Sequence, residues 1–477
     1  VPRTTEHADR CTQQALRCIV ALTVSLTVTT PTLAHFGDLE ELSDVAVHPL
    51  NPDVIVVRYS HKGEGLMYSS DGGATWGMLC GSAVGDDLVI SGRTVITGDG
   101  NTITGSFGGL WEGSSDGCDW QRGAALEGMY VSDLTRDPTD PNVVYAITGS
   151  GAEGTLNRMA RRAANGSWSE VGSGEAMMLL RVRAAATASG VRLYQLVQQG
   201  VLSVTVDGNT RDVPNYMIRV SDDGGETWRA HPLQVDWGTV TLEAVDPNNA
   251  DRLIVNVRRY GEADSILVSD DQGETFHEYA TITEFGALTL APDGRIWVGD
   301  VGDPSDSSVT RGIWFGATLD TAPVKLPDSD YPVLCLHYEP TRDTLYACQR
   351  WWFGPVDQTT GEFSLSLNII DTPQFISCDG DLAATCEPQL CSGLCGSSGF
   401  GDAPVCSMYR RPDCGPCRES SPNANSAECR SEVLGGGSKA KGGCSIAPGH
   451  QTALPVAWLL ACFLLRRALR LRSLRQR

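Results

Sequence analysis

Between residues 38 and 376 the apolar positions come in short, mostly β-branched runs separated by turn residues. Val54 to Val57 follows His48-Pro49-Leu50-Asn51-Pro52-Asp53. Val143 to Ala146 follows Asp137-Pro138-Thr139-Asp140-Pro141-Asn142. Leu253 to Val257 follows Asp246-Pro247-Asn248-Asn249, and Leu345 to Ala347 follows Glu339-Pro340-Thr341-Arg342-Asp343. A weaker copy is Pro292-Asp293-Gly294 before Ile296 to Val298. Short β-branched runs bounded by turn residues predict strands. No segment of this region sustains a helical period. The design returns every ~45 residues, with units starting near residues 43, 87, 130, 178, 241, 286 and 333. The long fourth unit is expected to carry an inserted loop around Gly200 to Asn215.

A second pattern runs in step with the first. Ser69-Ser70-Asp71-Gly72-Gly73-Ala74-Thr75-Trp76 returns as Ser221-Asp222-Asp223-Gly224-Gly225-Glu226-Thr227-Trp228 and as Ser269-Asp270-Asp271-Gln272-Gly273-Glu274-Thr275-Phe276. A shortened copy is Ser114-Ser115-Asp116-Gly117-Cys118-Asp119-Trp120, and Asn165-Gly166-Ser167-Trp168 is a remnant in the third unit. Ser and Asp can accept backbone N–H groups within a tight turn, and glycine tolerates the backbone this needs. The closing aromatic, Trp76, Trp120, Trp228 or Phe276, opens the next strand as an apolar anchor. The pattern S-x-D-x-G-x-T-[WF] resembles the Asp-box, or BNR repeat. That resemblance implies an all-β, seven-bladed β-propeller over residues 38–376, with the boxes on the rim away from the ligand face. Six or eight blades also fit the weakly marked third and fourth units. Asp71, Asp116, Asp223 and Asp271 are read as turn formers rather than catalytic or metal-binding groups.

The two ends say where the chain goes. Residues 1–34 hold arginines, an apolar run from Ile19 to Val28 and Thr32-Leu33-Ala34, which reads as a secretory signal peptide cut after Ala34. Residues 430–443 form a Gly-rich linker. In residues 444–477, Cys444 precedes an apolar run from Ala453 to Leu465 and six closing arginines. That order resembles the C-terminal sorting signal of myxobacterial surface proteins, which implies processing near Cys444. An ordinary membrane anchor is the alternative, although the run is shorter than the ~20 residues of a comfortable span. Either way the body is expected outside the cytoplasmic membrane, at the cell surface or released. The formal charge is −21, and the two ends hold nine arginines against two acids, which leaves the body at −28. So acidic a surface excludes nucleic acid as an expected partner and suits an exported monomer.

Sixteen cysteines in an exported chain predict disulfides. Cys80 with Cys118, and Cys335 with Cys348, are placed to pair within or between neighbouring blades. Cys378, Cys386, Cys391, Cys395, Cys406, Cys414, Cys417 and Cys429 mark a small disulfide-rich module over residues 377–429. A segment of that size builds little core and needs cross-links. Cys391-x3-Cys395 and Cys414-x2-Cys417 also have metal-ligand spacing, but no His lies between Cys378 and Cys429. No metal and no cofactor are expected. A propeller followed by such a module loosely resembles the lumenal part of sortilin-type receptors.

Candidate chemistry is sparse. Asp-box propellers include sialidases, xyloglucan-degrading enzymes, sortilin-type receptors and photosystem assembly factors, so the fold does not choose among activities. The Arg-Ile-Pro opening of sialidases has no counterpart in Leu42-Ser43-Asp44-Val45-Ala46-Val47. No His-Glu-x-x-His or phosphate-binding loop occurs. The densest aromatic and basic group is His337, Tyr338, Tyr346, Arg350, Trp351 and Trp352. It is the expected ligand-binding cluster, with packing between blades as the competing role. The chain is therefore expected to bind a protein or glycan at the cell envelope without catalysis. The alternatives are a secreted glycoside hydrolase or lyase, and an envelope assembly factor.

Overall fold

The computed structural model describes residues 41–376 together with Cys378, leaving out 61–64, 85–92, 207–208, 234, 236–237, 260, 303–309 and 370–373. Ala34, Cys386, Cys391, Cys395, Cys406, Cys414, Cys417, Cys429 and Cys444 lie outside the described residues, as do the signal peptide, linker and sorting segment. Among the described residues, no helix is long and apolar enough to cross a membrane.

Seven antiparallel sheets follow one another along the chain. Blade 1 is built from Glu41–Val47, Ile55–Ser60, Gly65–Ser69 and Gly77–Cys80, in that order from one edge to the other. The next six blades begin with Thr94–Ile96, Val131–Arg136, Met178–Thr187, Thr239–Asp246, Phe285–Leu290 and Cys335–Glu339. These first strands touch one another from blade to blade and close a ring, Glu41–Val47 meeting Cys335–Glu339. The result is a seven-bladed β-propeller with the first strand of each blade at the centre.

There is no single core. Seven apolar clusters lie in the seams between consecutive blades. Alternation along each strand explains this. Leu193 and Val197 face blade 3, while Tyr194 and Leu196 between them face blade 5.

Antiparallel order also sorts the connections onto two faces. Turns between first and second strands share a face with those between third and fourth strands. Gly72 N–H donates to the Asp53 carbonyl at 2.8 Å, and Gln272 N–H to the Asp251 carbonyl at 2.9 Å, joining the two kinds of turn. Every box is a third-to-fourth turn, so all boxes lie on this one face. The second-to-third turns and the blade-to-blade connections form the opposite face.

Blade 4 differs from expectation. The residues around Gly200 to Asn215 are not a loop. Strands Gly190–Val206 and Asn209–Ser221 stay paired out to Val206 and Asn209, with one register shift between Gln198 and Val201. The blade therefore extends as a hairpin from the face opposite the boxes.

The disulfides also correct one expectation. Cys335 and Cys348 are joined, directly opposite each other on neighbouring strands of blade 7. Cys118, however, is bonded to Cys378 across 260 residues, not to Cys80. Cys80 is disulfide-bonded as well. The other four described cysteines are paired among themselves, so its partner lies outside the described residues.

Candidate functional site

The box turns are self-contained hydrogen-bond cages. In the first, Ser69 Oγ donates to Asp71 Oδ1 at 2.8 Å and accepts Gly73 N–H at 2.8 Å. Asp71 accepts Thr75 N–H at 2.8 Å and Thr75 Oγ1–H at 2.6 Å, and Trp76 Nε1–H reaches the Gly73 carbonyl at 3.0 Å. Asp223 and Asp271 repeat the pattern with Thr227 and Thr275. The shortened copy keeps the Ser114–Asp116 bond and the Trp120 Nε1–H bond to Gly117 O. Gly73, Gly225 and Gly273 all have positive φ, near +91°, +99° and +92°. Asn165-Gly166-Ser167-Trp168 occupies the same turn of blade 3, where Asn165 Oδ1 accepts from the Ser167 N–H and hydroxyl.

These bonds tune the carboxylates. Donation from Thr75 and Ser69 lowers Asp71 to about 2. At Asp271 burial pushes upward, but donation from Thr275 and Ser269 together outweighs it, and the group is lowered to about 2. Asp223 is lowered by Thr227 and Ser221. A folded-state pKa below the unfolded value near 4 stabilises fully above that value and is lost as pH falls through the folded value. Acid titration followed by circular dichroism is therefore expected to show stability draining between pH ~4 and ~2. The triple variant D71N/D223N/D271N should flatten that part of the curve, and an unchanged curve would refute the turn-anchor role.

The candidate ligand residues are divided between a seam and the face opposite the boxes. Tyr346 is 4% exposed and stacks on Phe353 at 5.3 Å in the seam between blades 7 and 1. Its ring therefore faces blade 1. His337 lies directly across from it in register on the central strand. Burial first, then Arg136 and Arg93, push its imidazole down to about 4, so it is neutral at physiological pH. Arg350, Trp351 and Trp352 form a second-to-third turn on the face opposite the boxes. The Arg350 guanidinium lies 4.8 Å over Trp351, which meets Trp352 edge-on at 6.4 Å.

Buried carboxylates near the ring centre were not singled out from sequence. Asp133 is fully buried, with Arg183 Nη1 at 2.6 Å and Arg93 Nε at 3.5 Å. Burial raises its pKa, but Arg183, Arg93 and Arg181 outweigh that and hold it ionised. It also accepts Val182 N–H of the next blade at 2.9 Å. Asp44 accepts Thr94 N–H of the next blade at 2.7 Å, and burial keeps its pKa above the ordinary value. Both are latches between consecutive central strands. Among the described residues, no three His, Cys, Asp or Glu side chains are grouped to hold a metal.

Exposed apolar groups gather on the face opposite the boxes. Five of the eight large exposed hydrophobics, Phe107, Leu156, Val201, Leu202 and Trp352, lie there among the described residues. Phe107, 60% exposed, stacks on Tyr130 at 5.1 Å. Val201 and Leu202 sit on the extended hairpin.

The BNR/Asp-box repeat matches residues 219–230, the box of blade 4 with the end of the strand before it. The chain is an Asp-box β-propeller. No curated protein sequence matches it. Among solved structures it is similar to a GH74 enzyme of Niastella koreensis, at 15% identity over 67% of this chain, with a TM-score of 0.44. The chain spans about half, 52%, of that enzyme. YCF48 from Cyanidioschyzon merolae is 10% identical over 66% of this chain and 94% of its own, with a TM-score of 0.43. An oligogalacturonate lyase from Vibrio parahaemolyticus is 9% identical over 68% and 92%, with a TM-score of 0.45. At such identities none of them assigns an activity to this Asp-box propeller.

Proposed function

We propose that this propeller is an exported, non-catalytic binding module that captures a protein or glycan at the cell envelope through the face opposite its boxes. One observation carries the reading. Most of its large exposed apolar side chains lie on that face, and two of them, Phe107 and Trp352, are held by a second aromatic ring. Aromatic surfaces fixed in this way lose little entropy on binding, and they stack equally well on sugar rings and peptide side chains. The Cys118–Cys378 and Cys335–Cys348 disulfides support an oxidising compartment.

The test is to screen the purified protein on glycan and secreted-protein arrays. A saturable ligand is expected, and the double variant F107A/W352A should weaken it at least ~10-fold, since buried aromatic anchors commonly contribute more than ~1 kcal/mol each. No saturable ligand on either array would sink the proposal. Turnover of a polysaccharide would replace it with the glycoside hydrolase or lyase reading. A stable co-purifying envelope complex, unaffected by F107A/W352A, would favour the assembly-factor reading.

A further inference from the structure

The seams of this ring can be compared with one another, because the boxes set a common register. In blade 1, Ile55 pairs with the box residue Ser69, and two residues in from that pair Val57 lies opposite Met67. In blade 5, Leu253 pairs with Ser269, and Val255 lies opposite Leu267. Both inner pairs face the preceding blade and pack in its apolar seam. In blade 4, Leu193 pairs with Ser221, and the equivalent positions are Gln195 and Arg219. Two polar side chains thus stand where sister blades place apolar ones.

These substitutions have buried consequences. Gln195 is 1% exposed and Arg219 7%. Arg219 Nη1 meets Glu175 Oε2 of blade 3 at 2.6 Å and Gln195 Oε1 at 3.4 Å, and the guanidinium lies 4.8 Å over the box residue Trp228. Beside them is a cavity of about 250 Å³ whose lining includes Ser173 and Glu226. Among the described residues, the hydrogen bonds of Arg219 are all made through Nη1. A partly buried ion pair is often no more stable than a well-packed apolar pair, and this one lines a cavity.

We propose that the seam between blades 3 and 4 is a binding site for a single neutral sugar residue, distinct from the face opposite the boxes. The chemistry sets the class. Nε and Nη2 of Arg219 are free to donate, the Glu175 and Glu226 carboxylates have lone pairs to accept with, and a hydroxyl serves both. The two carboxylates disfavour an anion, and Arg219 disfavours a cation. The volume lies just below that of pockets for drug-sized ligands, so it suits one ring rather than a chain.

The test is saturation-transfer NMR on the full-length protein with glucose, galactose, N-acetylglucosamine and glucuronate as separate probes. Transfer to at least one neutral sugar and none to glucuronate is expected. The variant Q195V/R219M, which copies the apolar pair of blade 1, should fold and lose the signal at least ten-fold. Ser173→Phe, which obstructs the exposed rim and leaves Arg219 and Glu175 untouched, should lose it too. F107A/W352A should leave it unchanged, which separates this site from the proposed binding face. The proposal is overturned if no neutral sugar shows transfer, if glucuronate binds best, or if both seam variants retain the wild-type signal.

Discussion

The variant C118S/C378S is expected to lose about 5 kcal/mol of unfolding free energy. The reason lies in how the ring closes. The four antiparallel strands of blade 1 come from the start of the described chain, and blade 7 comes wholly from its end. Their seam is held by side chains and by a few bonds, such as Leu42 N–H to Arg350 O at 3.1 Å and Trp76 Nε1–H to Ser366 Oγ at 3.3 Å. The chain then runs on past blade 7 and crosses the outer edge of blade 1. Gln374–Phe375 adds there as a fifth, parallel strand, beside Gly77 and Met78. Gly77 is what lets it pass, since a Cβ would come within 2.4 Å of Ile376 Cγ2. Two residues later Cys378 is bonded to Cys118 in the box turn of blade 2.

The last strand therefore straps the ring joint, and the disulfide fixes the strap. A two-residue parallel strand has almost no stability alone. The bond closes a loop of 260 residues that contains blades 3 to 7, and loop-closure entropy gives about 5 kcal/mol for such a span. The internal control is C335S/C348S. Its loop spans 13 residues, and the same relation gives about 3 kcal/mol. Urea unfolding of both variants, followed by fluorescence and circular dichroism, separates the two cases. Equal losses would refute the strap, as would resistance of the segment after residue 370 to limited proteolysis in C118S/C378S.

The boxes and the strand period were legible because both are local. Ser69, Asp71, Gly73 and Thr75 satisfy one another within a few residues, so the turn is written in the octapeptide itself. The Cys335–Cys348 bond was legible for the same reason, as its cysteines face each other across one hairpin. Cys118 was paired with the wrong cysteine because its partner is brought near only when the whole ring has closed. Around Gly200 the Gly, Asp and Asn residues suggested a loop. The alternation Val201, Ser203, Thr205 against Leu202, Val204, Val206 was the strand signal that outweighed them. His337, Tyr346 and Trp352 are close in sequence, yet they point to the ring centre, a seam and a face. Strand alternation and radial position separate what spacing groups. Arg219 lies outside the octapeptide motif. The available signal was that Met67 and Leu267 hold its place in sister blades.

A second large effect is expected at the seam between blades 2 and 3, where Arg162→Met should cost about 3–5 kcal/mol. Arg162 is 1% exposed. Its guanidinium donates to Glu112 Oε1 from Nη2 at 2.7 Å and from Nε at 3.0 Å, to Asp99 Oδ2 at 3.1 Å, and to the Asn142 carbonyl at 2.9 Å. Glu112 is itself 8% exposed and also accepts Trp168 Nε1–H at 3.1 Å and Asn101 Nδ2–H at 3.0 Å. Methionine fills much of the volume but leaves the Glu112 carboxylate buried with no countercharge, and that uncompensated charge is the source of the cost. The second substitution gives the opposite sign. Replacing Glu112 as well, in E112L/R162M, removes the stranded charge and should restore most of the loss, because a well-packed apolar pair is often as stable as a buried ion pair. Urea midpoints of the two single variants and the double variant complete the cycle. Additive losses would mean that the two groups act independently, and the network would then be two separate surface-linked anchors rather than one buried unit.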